Sequence, residues 1–508
     1  MVYLTKKEKT LFTNREAEIE QINKAIKLLK NGYPKNFSLL GLRKTGKTLL
    51  LRKIAESQKE SVVVFFNVES NFAPPEDLAL RFTYGIFHSL KPDMDYVPSL
   101  SEMNAIKPDA KSANEIVSLF IKEYEKTIPD RLLLIQKAFE LPEKLSRELN
   151  IKFIIMLDEF QAIKGLNNYN EIKNILGTIR PFFEHTENVM WIISGSAISL
   201  MHSMTSGASS PLFELFTHIK LDFFSKENTL ELIGKIEKMY DAESNNSTKE
   251  KIFAFTRGHP FYTFCIADRL YSQSEKPNSK DLTTAILEEI LTPNARIYDH
   301  CKYVFDISIE KAKGKATIKR VLEYLSENDN TTMAEISKAT RMPTATVNIS
   351  LMRLMEVDLI EKSGYNYRIC DPVLRFWINN MLLGGGDFTR ISTARIKQIE
   401  QDLLKTKTEL GIAKEYEIRE KLKSRFGFEF KGYLKDNIEL DAVGFDKGVY
   451  HIVEIKWRNK ATGYKDIINF MEKTKGFDPV KLYFISRSGF TKQAEVLLNE
   501  KNIEIIKV

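Results

Sequence analysis

The spacing of apolar residues alternates between two periods over the first two hundred positions and then settles into one. Ile19, Ile22, Ile26 and Leu29 recur at three- and four-residue intervals, which predicts a helix over residues 15–30. Residues 36–40 predict a short strand, and a helix begins at Thr48. The run VVVFFNV at 62–68 is β-branched and aromatic throughout, the pattern of a strand buried on both faces. Residues 77–150 read as amphipathic helix, interrupted by a polar loop near 92–113. KFIIML at 152–157 and VMWII at 189–193 predict two more buried strands, with a helix over 172–183 between them. Strands alternating with helices predict a parallel sheet covered on both faces.

Beyond about residue 225 the strand signal stops. Residues 226–300 predict a helical subdomain, with 226–240 and 259–273 its clearest members. Residues 316–326 form an amphipathic helix, and 333–339 a second, short one entered from Thr331-Thr332. Arg341-Met342-Pro343 turns into a third helix over 344–356, with Val347, Leu351, Leu354 and Met355 inward. Residues 359–369 read as a hairpin with Gly364 at its tip. Helix, helix–turn–helix and hairpin in this order predict a winged helix. The outer face of its third helix carries Thr344, Thr346, Asn348 and Arg353, which can contact DNA; its positive charge is thin, so a packing role fits it equally. Gly384-Gly385-Gly386 marks a flexible boundary, a charged helix follows over about 390–408, and the last hundred residues mix α and β.

Composition narrows the class. A chain of 508 residues exceeds a single core, and 43% hydrophobic with 28% charged residues is the profile of a soluble globular protein. The net charge, 75 − 68 = +7, permits nucleic-acid binding but is equally the signature of a lysine-rich solvated surface. Cys265, Cys301 and Cys370 are far apart and form no CxxC pair, which argues against a disulfide framework or zinc knuckle and for a reducing compartment. The best apolar run, 153–157, is strand-sized, and MVYLTKKEKT has no apolar signal segment. The expectation is a cytoplasmic protein with no membrane partner.

The chemistry begins at residues 41–48, Gly-Leu-Arg-Lys-Thr-Gly-Lys-Thr, a GxxxxGK[ST] P-loop between a strand and a helix. Gly41 and Gly46 let the loop fold back so that backbone N–H groups face phosphates, and Lys44, Thr45 and Leu49 complete the binding stretch. Lys47 reaches the β- and γ-phosphates, and the Thr48 hydroxyl ligates Mg²⁺. The strand at 153–157 ends in Asp158-Glu159. Asp158 is assigned to the metal and Glu159 to general-base or water-positioning work. The expected cofactors are ATP or GTP with Mg²⁺.

In the last hundred residues, two strands at 438–445 and 449–455 are joined by the turn Asp446-Lys447-Gly448. Asp441 lies on the first strand, while Glu454 and Lys456, two apart, share a face of the second. Two carboxylates and a lysine converging there can bind a divalent cation, Mg²⁺ or Mn²⁺, and stabilise a pentacovalent phosphate.

Two resemblances follow from these residues. Phe12-Thr13-Asn14-Arg15-Glu16-Ala17-Glu18 resembles the F-x-G/N-R-E-x-E motif of archaeal AAA+ ATPases related to the STAND regulators and origin-recognition ATPases. The resemblance implies that Asn14 and Arg15 help wrap an adenine, favouring ATP over GTP. It implies that Ser194, in Ser194-Gly195-Ser196, senses the γ-phosphate. It also implies that His259 and Pro260, in Thr256-Arg257-Gly258-His259-Pro260-Phe261-Tyr262, approach the nucleotide from the lid. Asp371-Pro372-Val373-Leu374-Arg375-Phe376-Trp377 resembles the D-P-x-L-x-x-W stretch after the winged helix of the same family. Leu215 stands where the family commonly has an arginine; Arg180, Arg257 or another chain are the alternatives. The Asp441/Glu454/Lys456 set resembles the PD-(D/E)XK nuclease core. That resemblance makes Asp441 and Glu454 metal ligands, gives Lys456 the activation of water or stabilisation of charge, and adds a helix glutamate as a third ligand. Glu417 is the best match, with Glu415 or Glu420 as alternatives.

The expected fold class is α/β: a P-loop NTPase sheet over 1–225, a helical lid over 226–305, a winged helix over 306–383, a linker helix over 384–408 and a restriction-endonuclease-like domain over 409–508. Two functions fit. One is an ATP-dependent DNA-processing enzyme; the other is an ATP-gated switch or scaffold with an inactive C-terminal domain. A helicase motor fits poorly, because no second motor domain is present. ATP and DNA are the expected partners, and the oligomeric state stays open.

Overall fold

The computed structural model describes residues 4–92, 95–312, 315–328, 330–383, 418–419, 421–435, 438–456 and 461–506. The chain divides into two compact units, with the boundary between Phe388 and Thr389. The linker over 384–408, Glu415, Glu417 and Glu420 lie outside the described residues.

The first unit is built on a five-stranded sheet, β1 (Phe37–Leu40), β2 (Val62–Asn67), β3 (Phe153–Asp158), β4 (Val189–Gly195) and β5 (Thr217–Lys220). Every pairing is parallel, in the order β2-β3-β4-β1-β5. All residues of β1, β3 and β4 are buried, which is why these strands read as unbroken apolar runs. One face packs under the helices Pro75–Leu90, Lys111–Tyr124, Arg131–Leu149 and Ile175–Glu184, with Phe183 edge-on to Trp191 at 4.8 Å. The other face carries Glu16–Lys30 and Lys47–Ser57, whose Ile22, Ile26, Leu29, Leu50, Leu51 and Ile54 pack onto Leu39, Ile154 and Met156. Helix Leu100–Ile106 stands where the polar pattern predicts a loop. Ser99 caps it by accepting from Glu102 N, and it buries only Met103 and Ile106, too few to show a period. β5 is also absent from the apolar pattern, because only Ile219 of its four residues is buried.

Helices Lys226–Tyr240, Asn246–Thr256, Pro260–Gln273 and Ser279–Leu291 form the helical subdomain expected as the lid. Helix Arg296–Ala312 follows and runs across residue 305, packing on Ser279–Leu291 at one side and on the winged helix at the other. The winged helix comprises helices Lys315–Glu327, Met333–Thr340 and Thr344–Glu356 with strands β6 (Thr331–Thr332), β7 (Ile360–Ser363) and β8 (Asn366–Ile369) in the order β6-β8-β7. Thr332 and Glu335 make a capping box at the second helix, and Gly364 sits at the hairpin tip with φ +61°. Val347, Leu351 and Leu354 are buried, whereas Met355 is only partly so.

The second unit holds strands β9 (Phe430–Lys435), β10 (Ile438–Asp446), β11 (Val449–Lys456), β12 (Val480–Ser486) and β13 (Glu504–Ile505). β9, β10 and β11 are antiparallel neighbours; β11, β12 and β13 run parallel. Lys447 and Gly448, both at positive φ, make the two-residue turn between β10 and β11. Helices Tyr464–Lys473 and Lys492–Glu500 cover one face of the sheet through Ile467, Phe470, Leu497 and Leu498, while Ile418 and Leu422 cover the other. No helix among the described residues is long and apolar enough to cross a membrane.

Candidate functional site

The sheet order decides what meets at the first site. β1 lies between β4 and β5, and β3 neighbours β4, so the carboxyl ends of β1, β3 and β4 stand side by side. The P-loop leaves β1, Asp158 ends β3, and Ser194 is the penultimate residue of β4. Ligands of open parallel sheets bind at this end. A side-chain carbon at Gly41 would come within 2.8 Å of Leu221 O and 2.9 Å of Thr45 Oγ1, so the loop closes only on glycine there. Lys44 and Gly46 adopt positive φ, 63° and 98°, which turns the loop back onto the start of helix Lys47–Ser57.

The Thr48 hydroxyl donates to Asp158 Oδ2 at 2.7 Å, and Ser194 Oγ donates to Asp158 Oδ1. Glu159 accepts from Ser196 Oγ at 2.7 Å and from Gln161 Nε2 at 2.6 Å. Burial pushes the Glu159 carboxyl up, but those two hydrogen bonds and the charge of Lys47 outweigh it and hold the pKa below the usual carboxylate range. Lys47 is buried with its ammonium donating to Gly41 O at 2.7 Å and Leu42 O at 2.9 Å. Burial lowers its pKa to about 8, with Glu159 and Asp158 opposing the shift. Thr48 and Asp158 present hard oxygens at one point, the donor type Mg²⁺ takes.

A cavity of about 1290 Å³ opens beside these groups, room for a nucleoside triphosphate. Lys44, Thr45, Gly46, Lys47, Thr48, Leu49, Asp158 and Glu159 line it, as do the apolar Leu11, Phe12, Phe224, Leu232 and Phe264, side chains suited to a base. Pro260 and Arg15 also line it. Arg15 donates to Asp222 O at 2.6 Å and Thr45 O at 3.4 Å, tying the N-terminal segment to the loop. Gly41, Asn14, Ser194 and His259 stand behind the wall rather than in it. Asn14 turns the chain at φ 62°, Ser194 bonds Asp158, and His259 bonds the P-loop itself.

His259 Nε2 lies 3.2 Å from Arg43 O; a carbonyl only accepts, so the proton is on Nε2 and Nδ1 is left without a partner. Burial holds the ring neutral, with a pKa near 3. It packs on Tyr262 at 4.2 Å between centroids, and the Tyr262 hydroxyl donates to Asp371 Oδ2 at 2.6 Å. Asp371 Oδ1 in turn accepts from Val373 N and Leu374 N, capping the helix Pro372–Leu383 that follows the wing. Two motifs more than a hundred residues apart are thus joined through one buried chain of contacts to the P-loop. A second link runs from Ser199, three residues beyond Ser196, whose N and Oγ donate to Asp358 of the winged helix.

Sequence reasoning missed the far wall. Arg43 lies over Tyr303, 5.2 Å from its centroid, and Arg296, Asp299 and His300 line the cavity from helix Arg296–Ala312. No local pattern marks them, because they come to the P-loop through the turn of a helix some 250 residues on. Arg180 donates to Pro211 O at 2.5 Å and pairs with Glu184, beside the segment lacking the arginine; neither Arg180 nor Arg257 lines the cavity.

In the second unit, Asp441, Glu454 and Lys456 do come together. The antiparallel register that pairs Ala442 with Val453 places Asp441 opposite Glu454. Asp441 Oδ2 accepts from Ile455 N at 2.6 Å, and burial followed by the Glu454 charge raises its pKa to about 6. Glu454, 2% exposed, accepts from Lys456 Nζ at 2.5 Å, while its Oε2 has no partner. An orphaned buried carboxylate oxygen beside a second carboxylate fits a divalent cation. No cluster of three or more acidic, His or Cys side chains placed for a metal occurs among the described residues, and Glu417 lies outside them.

Comparison with known proteins agrees with this geometry. Residues 12–263 match a family model described as an ATPase domain predominantly from Archaea, and residues 315–361 match a winged helix-turn-helix DNA-binding model. The chain carries an ATPase domain and a winged helix. A Walker-type ATPase of Pyrococcus abyssi is similar in structure at 18% identity and TM-score 0.54, covering 72% of this chain and 96% of its own; that likeness shows the fold. The Aeropyrum pernix ORC2 protein matches at 11% identity and TM-score 0.45, over 73% and 94%. The Thermotoga maritima RuvB Holliday junction branch migration motor matches at 13% and 0.35, over 70% and 92%; at such scores neither carries weight. A search of curated proteins gave no match.

Proposed function

We propose that this protein is an ATP-dependent switch acting on DNA, in which Lys47, Thr48 and Asp158 hold Mg–ATP, Glu159 positions the attacking water, and the C-terminal carboxylates with Lys456 act on a phosphodiester backbone. The observation that carries the coupling is the chain Arg43 O–His259–Tyr262–Asp371, which joins the phosphate loop to the helix after the wing. Phosphates entering the P-loop draw Lys47 off Gly41 O and Leu42 O, and the loop carbonyls it leaves are immediate neighbours of the one His259 holds. Mg²⁺, when bound, supplies charge neutralisation to the phosphates. Glu159, kept ionised, accepts the proton of the attacking water, and Ser196 and Gln161 fix its direction. At the second site Asp441 and Glu454 would hold Mg²⁺ or Mn²⁺, and Lys456 offers a cation to a phosphate oxygen.

The scaffold reading, with an inactive C-terminal domain, draws on Leu215 in place of an arginine, which removes a group worth about 10³-fold or more in related chemistry. Comparing wild type, Lys47→Ala and Lys456→Ala on single-stranded, duplex and branched DNA, with and without ATP and metal, separates the two. We expect wild type to cut at least one substrate with Mn²⁺ or Mg²⁺, Lys456→Ala to cut none, and Lys47→Ala to lose the ATP dependence. ATP binding with no cleavage under any condition would establish the scaffold.

A further inference from the structure

Lys473 closes the helix Tyr464–Lys473, and no sequence pattern connects it to the C-terminal site. Its ammonium lies 3.4 Å from Glu454 Oε1, the same oxygen that Lys456 holds at 2.5 Å. It also acts on Asp441, drawing that carboxyl down against the effect of burial. Glu454 Oε1 is already satisfied by the nearer lysine, so the outer one is not needed to pair it. Lys473 is 35% exposed where Glu454 is 2% exposed, so the outer lysine reaches solvent from a place beside the buried carboxylate.

Charge gives that placement a use. Among the described residues, Asp441, Glu454, Lys456 and Lys473 sum to zero, with the Asp466 carboxylate, which accepts from Gly463 N at 2.9 Å, a further negative charge acting on Lys456. A divalent cation raises the sum to +2. A phosphodiester carries one negative charge, and addition of hydroxide to phosphorus makes a species carrying two; its P–O bond to the leaving oxygen then breaks, and that oxygen takes a proton from water. Lys473 adds a second positive charge to that of Lys456 where this dianion forms, and it is the more exposed lysine of the two. We propose that Lys473 is a second phosphate-gripping lysine, so that the ligand of this site is a nucleic-acid backbone phosphodiester held between Lys456 and Lys473.

This rests on reading Asp441 and Glu454 as a cation site, and the experiment keeps the two apart. Full-length wild type, Lys473→Met, Lys473→Arg and Asp441→Asn are titrated with Mn²⁺ by calorimetry, and with a duplex oligonucleotide in Ca²⁺ over a series of salt concentrations. Lys473→Met should weaken oligonucleotide binding about tenfold and flatten the slope of log K against log salt by about one, the loss of one phosphate contact. Lys473→Arg should restore both, and Lys473→Met should bind Mn²⁺ at least as tightly as wild type, because a nearby cation has been removed. Unchanged oligonucleotide affinity and slope in Lys473→Met, with Mn²⁺ bound normally, overturns the role of Lys473 alone. Mn²⁺ affinity that Asp441→Asn does not alter overturns the cation site and this role with it.

Discussion

The two candidate sites use the same ingredients, two carboxylates and a lysine, and hold them in opposite ways. At the P-loop the carboxylates are held by neutral donors, Thr48 and Ser194 on Asp158, Ser196 and Gln161 on Glu159. The lysine is held by carbonyls. In the C-terminal unit the carboxylate is held by the lysines themselves. Neutral partners leave charges free to answer a ligand, and they orient each group before the ligand arrives. A self-neutralised cluster is quiet until a cation displaces its internal pairs. The first site is also connected outward, through His259 and Tyr262 to Asp371, whereas the ion pairs of Glu454 join it to Lys456 on its own strand and to Lys473 on a helix of the same unit.

The sharpest way to break the contrast is Glu159→Gln. The amide keeps the size and accepts from Ser196, but it cannot take a proton. Turnover of ATP should fall on the order of 10²–10³-fold, the range for a lost general base. ATP affinity should stay within about twofold, because Glu159 is not assigned to the phosphates. Steady-state turnover beside equilibrium binding checks both; a variant hydrolysing ATP at the wild-type rate would remove Glu159 from the chemistry.

The lysines answer pH in opposite directions. Burial brings Lys47 to about pH 8, so the nucleotide-free protein loses this charge as pH rises through that value. Phosphate favours the protonated form, so binding above pH 8 takes up a proton and weakens with each further unit. Between pH 7 and 9 the protonated fraction falls about tenfold, and ATP affinity should fall by about the same factor. For Lys456 burial lowers the pKa, but the attraction of Glu454 outweighs it and carries the pKa above the ordinary lysine value, so the C-terminal lysine stays charged over that range. Calorimetric titrations at the two pH values, in buffers of different ionisation heat, read affinity and proton uptake together. Equal affinities would mean that Lys47 is not drawn into binding.

Legibility followed chain locality. GxxxxGK[ST] and Asp158-Glu159 were readable because each packs its chemistry into neighbouring residues bounded by an apolar strand. The winged helix was readable because three helical periods and a glycine-tipped hairpin follow in order. β5 and the helix Leu100–Ile106 were not, since one or two buried positions show no period. Arg296, His300 and Tyr303 reach the cavity through the packing of a distant helix, and Phe224 from the segment after β5, which no local spacing encodes. The TRGHPFY motif was legible, but its work was not. Neither His259 nor Tyr262 lines the cavity: His259 bonds Arg43 O and Tyr262 donates to Asp371, a contact that exists only once the helices after β5 and the winged helix are folded together.

That contact carries the smallest and most discriminating effect. Tyr262→Phe keeps the ring against His259 and removes one hydroxyl, leaving Asp371 Oδ2 without its donor at a cost of about 1–3 kcal/mol. Neither Tyr262 nor Asp371 lines the cavity, so the affinity of each ligand measured alone should move less than about threefold. Coupling is reciprocal: the factor by which ATP changes DNA affinity must equal the factor by which DNA changes ATP affinity. If the buried chain transmits, Tyr262→Phe lowers both factors together, by about fivefold at most, toward one. A thermodynamic cycle closed with a non-hydrolysed ATP analogue and a duplex oligonucleotide measures all four affinities. Coupling unchanged in the variant would leave the Ser199–Asp358 contact as the connection between the segment after β4 and the winged helix. The site would then reach outward through the helix Ile198–Thr205 that follows β4 and not through His259 and Tyr262.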